Sequence, residues 1–358
     1  MCWTVNEIKK GVWHVDESGL NAMYVVKGSK MSAVIDAGTG IGDFKGLVES
    51  LVDNPYVVLI THGHVDHAGG CGQFIEAYIK ERDYQAALNI KVEDRERYLK
   101  NMESAGAVAP GSLSIAEELK NDKKPEFRFM KEGDIFDLGD KKLVIYEMTG
   151  HTAGSVCILD EEDRILFSGD SVNDLELICA PAKDREALLK EWYEAGKRIF
   201  ARKDSFDICG GGHCLIPIEK AEETLTCGEM ILSGELQAKV EKVHFFHAPF
   251  YKYKDSRLYN GDFAALETKF SDAANLEKLI QTDADGHKMA AFRNYAILKS
   301  ITKRKNVIID EIEETKADII DVALEKEPEW VVSQRYQDHR IKAAEDTVDK
   351  LVMDALIQ

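Results

Sequence analysis

Short apolar runs separated by turn residues dominate the first sixty positions and predict β-strands. Positions 12–15, 22–26 and 33–35 are rich in β-branched or aromatic residues, and the polar turns ESG and GSK separate them. Over 44–51 the apolar side chains recur at helical spacing and predict an amphipathic helix. The apolar run YVVLI follows and predicts a buried strand that ends just before a cluster of histidines.

The middle of the chain is more ambiguous. Apolar spacing predicts a helix over 74–79, and the polar, weakly patterned stretch 81–125 predicts an irregular lid or binding loop. Strands resume at KLVIYEM, SVCILD and RILFSGD, and the turn EED joins the last two as a hairpin. Asp184 is the predicted N-cap of a helix. That helix would bury Leu188, Leu189, Trp192 and Phe200.

The pattern changes near Asp262. Beyond it the apolar positions keep helical spacing, and strand signals almost vanish. We therefore predict an α/β domain over 1–262 and a helical domain over 263–358. An apolar seam over 341–355 fits packing within this domain, and it fits equally a homodimer contact between helices.

Composition narrows the class of protein. The chain has 358 residues, of which 44% are hydrophobic, as in ordinary globular proteins. No run approaches the roughly 18 apolar residues of a membrane span, so we expect no membrane association. The segment MCWTVNEIKKGVWHVD lacks the basic start and apolar stretch of a signal peptide, which favours a cytoplasmic location.

Charge and cysteine content exclude further classes. The formal net charge of -18 opposes binding to a phosphate backbone, so nucleic acid is not an expected partner. The seven cysteines are scattered without a C-x-x-C pair. This spacing predicts neither a disulfide framework nor a thiolate zinc finger, and we expect reduced, buried thiols, including Cys214.

The segment LITHGHVDHAGG carries the strongest chemical signal. Alternate residues of an extended segment point to the same side, so His62 and His64 can direct their imidazoles to one point. Asp66 and His67 follow round the turn and can address a second point nearby. This arrangement suits two metal ions that share one pocket.

Two ions need more ligands than these four residues supply. Candidates follow three later strands: His151 in TGHTAG, Asp170 in SGDSV and His213 in GGGHC. A glycine immediately precedes each of them, which permits tight backbone turns where side chains crowd a metal. Imidazole and carboxylate ligands suit zinc, and also iron or manganese.

The order of these elements resembles the metallo-β-lactamase superfamily of binuclear hydrolases. H-x-H-x-D-H is followed by a glycine-preceded histidine, a G-D and a G-H, over about residues 1–262. Asp36 in VIDAGTG matches the early strand-end aspartate of that family, which supports the ligands. The resemblance implies a four-layer αββα metallo-β-lactamase sandwich, here with an all-helical C-terminal appendage.

The same resemblance implies roles for individual residues. It assigns His62, His64 and His151 to a first metal ion. The second ion would be held by Asp66, His67 and His213, with Asp170 between the two ions. We expect two divalent ions, Zn²⁺ in the first instance, and a metal-bridged hydroxide that attacks the substrate. Asp66 would orient this hydroxide and relay its proton.

Departures within the superfamily narrow the activity to an ester-like bond of a small molecule, such as a lactone or a thioester. The complete ligand set resembles glyoxalase II-type thioesterases and quorum-signal lactonases. Alternatives are a mononuclear iron oxygenase of the persulfide dioxygenase kind, a phosphodiesterase acting on a small substrate, or a binding protein that retains a metal site. His244 and His247 could pack against the first domain or line a pocket.

Overall fold

The computed structural model describes most of the first 261 residues. The described residues are 3–104, 108–109, 111–173, 175–179, 184–243 and 246–261. Those within 3–98, 113–239 and 249–261 form one compact unit, and the seven-stranded and six-stranded sheets lie in it. The predicted domain boundary, the helical region 263–358 and its proposed dimer seam lie outside the described residues.

The first sheet contains seven strands, and their order in space follows their order in the chain. They are β1 (Trp3–Lys9), β2 (Val12–Glu17), β3 (Ala22–Lys27), β4 (Ser32–Ile35), β5 (Tyr56–Leu59), β6 (Glu76–Lys80) and β7 (Glu126–Met130). β1 to β4 pair antiparallel, and β4 to β7 pair parallel. The early apolar runs thus form strands as predicted.

The second sheet has six strands. In chain order these are β8 (Ile135–Asp137), β9 (Lys142–Glu147), β10 (Val156–Asp160), β11 (Ile165–Gly169), β13 (Ile208–Gly211) and β14 (Leu215–Pro217). Their spatial order is β14-β13-β11-β10-β9-β8. The predicted hairpin is β10–β11, while β11 and β13 pair parallel.

A smaller sheet and six α-helices complete the described elements. β12 (Leu175–Cys179) pairs with β17 (Ser256–Gly261), which pairs with β16 (Phe246–Tyr253); a further strand, β15 (Lys239–Val243), precedes β16. The helices are α1 (Phe44–Leu51), α2 (Val65–Ala68), α3 (Glu81–Asn89), α4 (Val92–Ser104), α5 (Arg185–Phe200) and α6 (Ile218–Leu232). Short 3-10 helices are Gly69–Gln73, Glu117–Leu119 and Lys203–Ser205.

The two larger sheets pack face to face around a buried apolar cluster. Tyr24, Ile35 and Leu59 of the first sheet share this cluster with Ile158 and Phe167 of the second. The rings of Tyr24 and Phe167 lie 5.0 Å apart between centroids. Burial of each large apolar side chain contributes about 1.5–3 kcal/mol, so this interface holds the two sheets together.

Helices cover the outer face of each sheet. Phe44 and Val48 of α1 pack in a cluster with side chains of the first sheet. Trp192 of α5 and Leu225 of α6 pack in another cluster with Leu159 of the second sheet. The layers are therefore helix, sheet, sheet and helix, which confirms the predicted αββα sandwich.

Two predictions for the middle of the chain are wrong. The predicted helix over 74–79 is instead strand β6, in which Ala77 and Ile79 are buried and their neighbours are partly exposed. Five residues are too few to separate helical from strand periodicity. The stretch 81–125 is not simply an irregular loop, because α3 and α4 occupy much of it. Both helices carry few apolar positions, which weakened the helical signal.

The helix predicted after Asp184 is α5. Leu189, Trp192 and Phe200 are buried as expected, whereas Leu188 is only partly buried and the Asp184 side chain makes no capping hydrogen bond. Among the described helices, none combines the length and apolar character needed to cross a membrane.

We expect Phe167→Ala to lower the free energy of unfolding by about 3–5 kcal/mol, because it opens a cavity between the sheets. Denaturant titration followed by far-UV circular dichroism measures this. The control Ile75→Ala changes a side chain that is 85% exposed and should alter stability by less than about 0.5 kcal/mol. Equal effects of the two substitutions would contradict the assigned core.

Candidate metal centre

Side chains from the ends of several strands converge at one edge of the sandwich. β4 and β5 are parallel, so Asp36 and His62 follow strand ends on the same side of the first sheet. His64 is the N-cap residue of α2, which carries Asp66 and His67. The turn of α2 is fixed by hydrogen bonds from its own backbone and from the Ala37 amide, which donates to the His67 carbonyl at 2.8 Å.

The second sheet supplies the other three residues. His151 follows β9, Asp170 follows β11 and His213 follows β13. β11 and β13 are parallel, and β9 runs in the same direction as β11 because both are antiparallel to β10. Their carboxyl ends therefore lie at one edge, as the strand-end pattern in the sequence required.

Glycines permit this convergence. A β-carbon added at Gly212 would lie 2.0 Å from Asp170 Oδ1 and 2.6 Å from His67 Cε1. Gly169 has a φ of +48°, and a β-carbon there would lie 2.4 Å from Thr61 Oγ1. A larger residue at Gly212 would displace the ligand candidates Asp170 and His67, and one at Gly169 would displace Thr61, next to His62.

One group is formed by three imidazoles. His64 Nδ1 lies 3.1 Å from His62 Nε2 and 2.9 Å from His151 Nε2. His151 Nδ1 lies 3.0 Å from the Leu177 carbonyl oxygen, to which it donates, so its Nε2 carries a lone pair when the ring is neutral. Three ring nitrogens thus face a common point, which is the arrangement that a bound cation requires.

A second group lies beside the first. His67 Nε2 and His213 Nε2 are 3.7 and 3.8 Å from Asp66 Oδ2. Asp170 touches both groups, because its Oδ2 lies 3.4 Å from His151 Nε2 and 3.2 Å from His213 Nε2. The structure therefore brings all seven predicted ligand candidates together, with Asp170 between the two groups.

Oxygen atoms behind the imidazoles fix their orientation. The Asp36 carboxylate accepts from the Thr61 amide at 2.7 Å and lies 2.9 Å from His67 Nδ1. His213 Nδ1 lies 2.6 Å from the Leu20 carbonyl oxygen and donates to it. With Nδ1 engaged in this way, the Nε2 atoms of both rings point into the site.

Two buried atoms in the centre have no hydrogen-bond partner. They are His67 Nε2 and Asp170 Oδ1, which lie 3.5 Å apart. Buried polar atoms are normally satisfied, because leaving one without a partner costs free energy. An imidazole nitrogen and a carboxylate oxygen are both good ligands for a divalent cation, so the residues present fit a metal ion.

The pKa values divide the histidines into two sets. Burial, reinforced by neighbouring imidazoles, lowers the pKa of His62 well below its ordinary range and that of His64 to about 4. Burial lowers the pKa of His151 as well. These three rings are neutral at pH 7 and can offer lone pairs to a metal.

The other set is charged in the metal-free chain. Burial opposes protonation of His67 and His213, but the neighbouring carboxylates, Asp170 and then Asp66, together outweigh burial. The pKa of His67 is raised well above its usual value, and that of His213 to about 9. Burial would raise the pKa of Asp170, yet the adjacent imidazoles hold it well below its ordinary range. A divalent cation would replace these protons, so metal binding should release them.

Three contacts near Asp66 were not predicted from the sequence. The Tyr98 hydroxyl, on α4, donates to Asp66 Oδ2 at 3.0 Å. The Asn21 side-chain amide donates to the Asp66 carbonyl oxygen, and the fully buried Glu17 lies in the same region, where it accepts from the Thr39 amide and hydroxyl at 2.8 Å. These contacts join distant parts of the chain. In the sequence, only the polar residues that directly follow the apolar strand runs indicate this region.

Two other expectations have different outcomes. Cys214 was predicted to be a buried thiol, but it is exposed, because the turn after β13 carries it to the surface with His213. The described cysteines Cys71, Cys157, Cys209 and Cys227 are buried and free. The side chains of His244 and His247 lie outside the described residues.

Sequence comparisons show which known proteins this chain is similar to. The Metallo-beta-lactamase superfamily profile matches residues 18–223. The chain is 33% identical over 172 residues to "Acyl-coenzyme A thioesterase MBLAC2" of Gallus gallus, covering 45% of this chain and 61% of that protein. It is 26% identical over 153 residues to "Hydroxyacylglutathione hydrolase GloC" of Haemophilus influenzae, covering 42% and 65%. The chain thus spans less than two thirds of these relatives' length.

A solved structure, "Metallo-beta-lactamase from Pontibacter korlensis", aligns with a TM-score of 0.45 and 21% identity. The alignment covers 63% of this chain and 99% of that chain.

Glu17 provides a test of the electrostatics near the site. Burial raises its pKa to about 7, against 4.5 for an exposed glutamate. Between pH 4.5 and 7, Glu17 is ionised in the unfolded chain but still protonated in the folded chain. The free energy of unfolding therefore falls as pH rises across this range, and it levels off above pH 7. Glu17→Gln removes this titration and keeps the acceptor for Thr39. The variant should gain stability relative to wild type, by on the order of 3 kcal/mol, between pH 4.5 and 7.

Thermal and urea unfolding of both metal-free proteins across this pH range measures the difference. A stability difference that does not change with pH would contradict the assigned ionisation of Glu17.

Proposed function

Because this chain belongs to the metallo-beta-lactamase superfamily, we propose that it is a metal-dependent hydrolase that cleaves an ester-like bond of a small molecule. The observation that carries the proposal is the convergence of seven imidazole and carboxylate side chains in two adjoining groups that share Asp170. A site built only for stability would not leave His67 Nε2 and Asp170 Oδ1 buried without hydrogen-bond partners.

We assign two divalent metal ions to this site. His62, His64 and His151 would hold one ion, and Asp66, His67 and His213 would hold the other, with Asp170 shared. The nitrogen and oxygen donor set supports Zn²⁺ and also suits iron or manganese. The assembled second group favours a binuclear hydrolase over the mononuclear iron oxygenase considered from the sequence.

Two such ions would polarise the bond that is cleaved and lower the pKa of a water molecule toward neutrality. The chain's own residues orient the reaction. Asp66 Oδ2 is the proposed acceptor for the proton that leaves the attacking water, and it can return this proton to the leaving group. The Tyr98 hydroxyl donates to the same oxygen and restricts how the carboxylate can turn.

Tyr98 remains a donor over the working pH range. Burial, together with the nearby Asp66 carboxylate, raises the pKa of Tyr98 well above its ordinary value. The phenol therefore keeps its proton and can donate it in a hydrogen bond to the Asp66 carboxylate.

A thioester is the ester-like bond that the relatives favour. One relative is named as an acyl-coenzyme A thioesterase and another as a hydroxyacylglutathione hydrolase. Both matches cover less than two thirds of the relative, so the proposal extends to the class of bond and stops short of either named substrate. A lactone is the second bond to test, since the same attack on a carbonyl carbon opens it.

Turnover on a panel of acyl thioester, lactone and phosphodiester substrates tests the proposed function. We expect zinc-loaded protein to hydrolyse the thioester fastest, and Asp66→Ala to lower kcat by roughly 10²–10⁴-fold. Asp53→Ala, which changes an exposed carboxylate paired with Lys27, is the matched control and should keep full activity. The proposal would be contradicted if the zinc-loaded protein hydrolysed none of the substrates, or if Asp66→Ala kept full turnover.

Tyr98→Phe tests the orientation of Asp66. Hydrogen bonds to charged groups contribute about 1.5–3 kcal/mol, so kcat should fall roughly 10- to 100-fold. KM and metal content should stay close to wild type, because the phenyl ring keeps its volume and the ligands remain. Steady-state kinetics and metal analysis of the same preparation measure these quantities; an unchanged kcat would exclude this role for Tyr98.

A further inference from the structure

Asp83 connects the two loops that carry the three-histidine group. It lies in the first turn of α3, and only 4% of the residue is exposed. Its Oδ2 accepts from the Gly63 amide at 2.8 Å and from the Thr152 hydroxyl at 2.6 Å. Its Oδ1 accepts from the Gly154 amide at 2.7 Å. One buried carboxylate therefore binds both loops at once.

The positions of these donors are informative. Gly63 lies between His62 and His64, on the loop that follows the first sheet's β5. Thr152 directly follows His151, on the loop that follows the second sheet's β9. The carboxylate thus spans the gap between ligand candidates that arise from different sheets.

The surroundings are built for this contact. A β-carbon at Gly154 would lie 2.5 Å from Asp83 Cγ, and one at Gly63 would lie 2.8 Å from the Asp83 carbonyl oxygen. Ser155 Oγ lies 2.7 Å from the Thr152 hydroxyl and accepts from the Thr152 amide at 3.0 Å, which orients that hydroxyl toward Asp83. Each loop thus offers a glycine where the carboxylate approaches.

We infer that Asp83 is a positioning residue that sets the distance between His151 and the His62–His64 pair, and thereby the affinity and geometry of one metal site. The inference rests on the proposed function for the identity of that site as a metal centre. The Val156 amide also donates to the Thr61 carbonyl at 3.0 Å, so the two sheets remain joined when Asp83 is changed. The hydrogen bonds of Asp83 constrain the two loops in addition to this backbone hydrogen bond.

The hydrogen bonds that Asp83 accepts determine which substitutions test the inference. All three partners donate, so only an ionised carboxylate offers an acceptor to each loop. Asp83→Asn keeps the volume but turns one acceptor into an amide that faces a donor, so one loop loses its hydrogen bond. Thr152→Val is the milder variant, since it removes a single donor at nearly constant volume. Asp94→Asn, which changes a partly exposed carboxylate on the neighbouring α4, is the matched control.

Titration of the metal-free 358-residue chain with Co²⁺, followed by visible absorption, tests the inference without substrate. Asp83→Asn should weaken one of two binding steps by roughly 10- to 100-fold and alter its absorption band, as expected for residues that support metal ligands. The other step and the Asp94→Asn control should stay within about threefold of wild type. Thr152→Val should weaken the same step by a smaller factor, which keeps the test decisive if Asp83→Asn does not fold.

A double-mutant comparison identifies the affected site. His151→Ala should abolish the step that Asp83→Asn weakens, and adding Asp83→Asn to His151→Ala should then have little further effect. Unchanged Co²⁺ affinities and absorption in both Asp83→Asn and Thr152→Val, even with lower thermal stability, would overturn the positioning role. Independent effects of Asp83→Asn and His151→Ala on different binding steps would overturn it as well.

The two proposals fail in distinguishable ways. Wild-type protein that binds two Co²⁺ ions but hydrolyses no substrate would contradict the proposed hydrolase and leave the Asp83 result standing. A wild-type protein that binds no Co²⁺ would overturn the inference about Asp83.

Discussion

The free-energy penalty of burying imidazole and carboxylate groups without partners is the constraint on which the site depends. Seven imidazole and carboxylate side chains meet where strands of two sheets end, and two of their buried atoms, His67 Nε2 and Asp170 Oδ1, have no hydrogen-bond partner there. A bound cation converts this penalty into favourable coordination. The fold can carry the penalty in the metal-free chain because a large apolar interface between the sheets stabilises the sandwich.

A second layer of contacts gives each ligand candidate one orientation. Asp36 engages His67, the Leu177 carbonyl engages His151, and the Leu20 carbonyl engages His213. Asp83 orients two loops rather than a single ring, because its carboxylate accepts hydrogen bonds from both the Gly63 and the Gly154 amides. The ligand candidates are thus pre-organised by groups outside the proposed metal sites, and pre-organisation is what allows a short-lived charge to be stabilised without rearrangement.

Much of this could be predicted from the sequence, because the informative signals are local. Polar ligands directly after apolar runs, each with its glycine, locate the site in a fold whose strands end together. β6 was mistaken for a helix because the predicted stretch, 74–79, is too short to separate helical from strand periodicity. α3 was missed because it has few apolar positions, so its helical spacing is hard to recognise in the sequence. Asp83 lies on α3 and Tyr98 on α4, and their contacts with Gly63 and Asp66 depend on tertiary packing that no local pattern records.

Metal analysis combined with anomalous X-ray scattering on crystals of the zinc-loaded protein tests the central claim most directly. The account predicts two ions per chain, one contacted by His62, His64 and His151 and the other by Asp66, His67 and His213, with Asp170 reaching both. A single ion at full occupancy, or anomalous peaks remote from these side chains, would contradict the assignment of a binuclear centre.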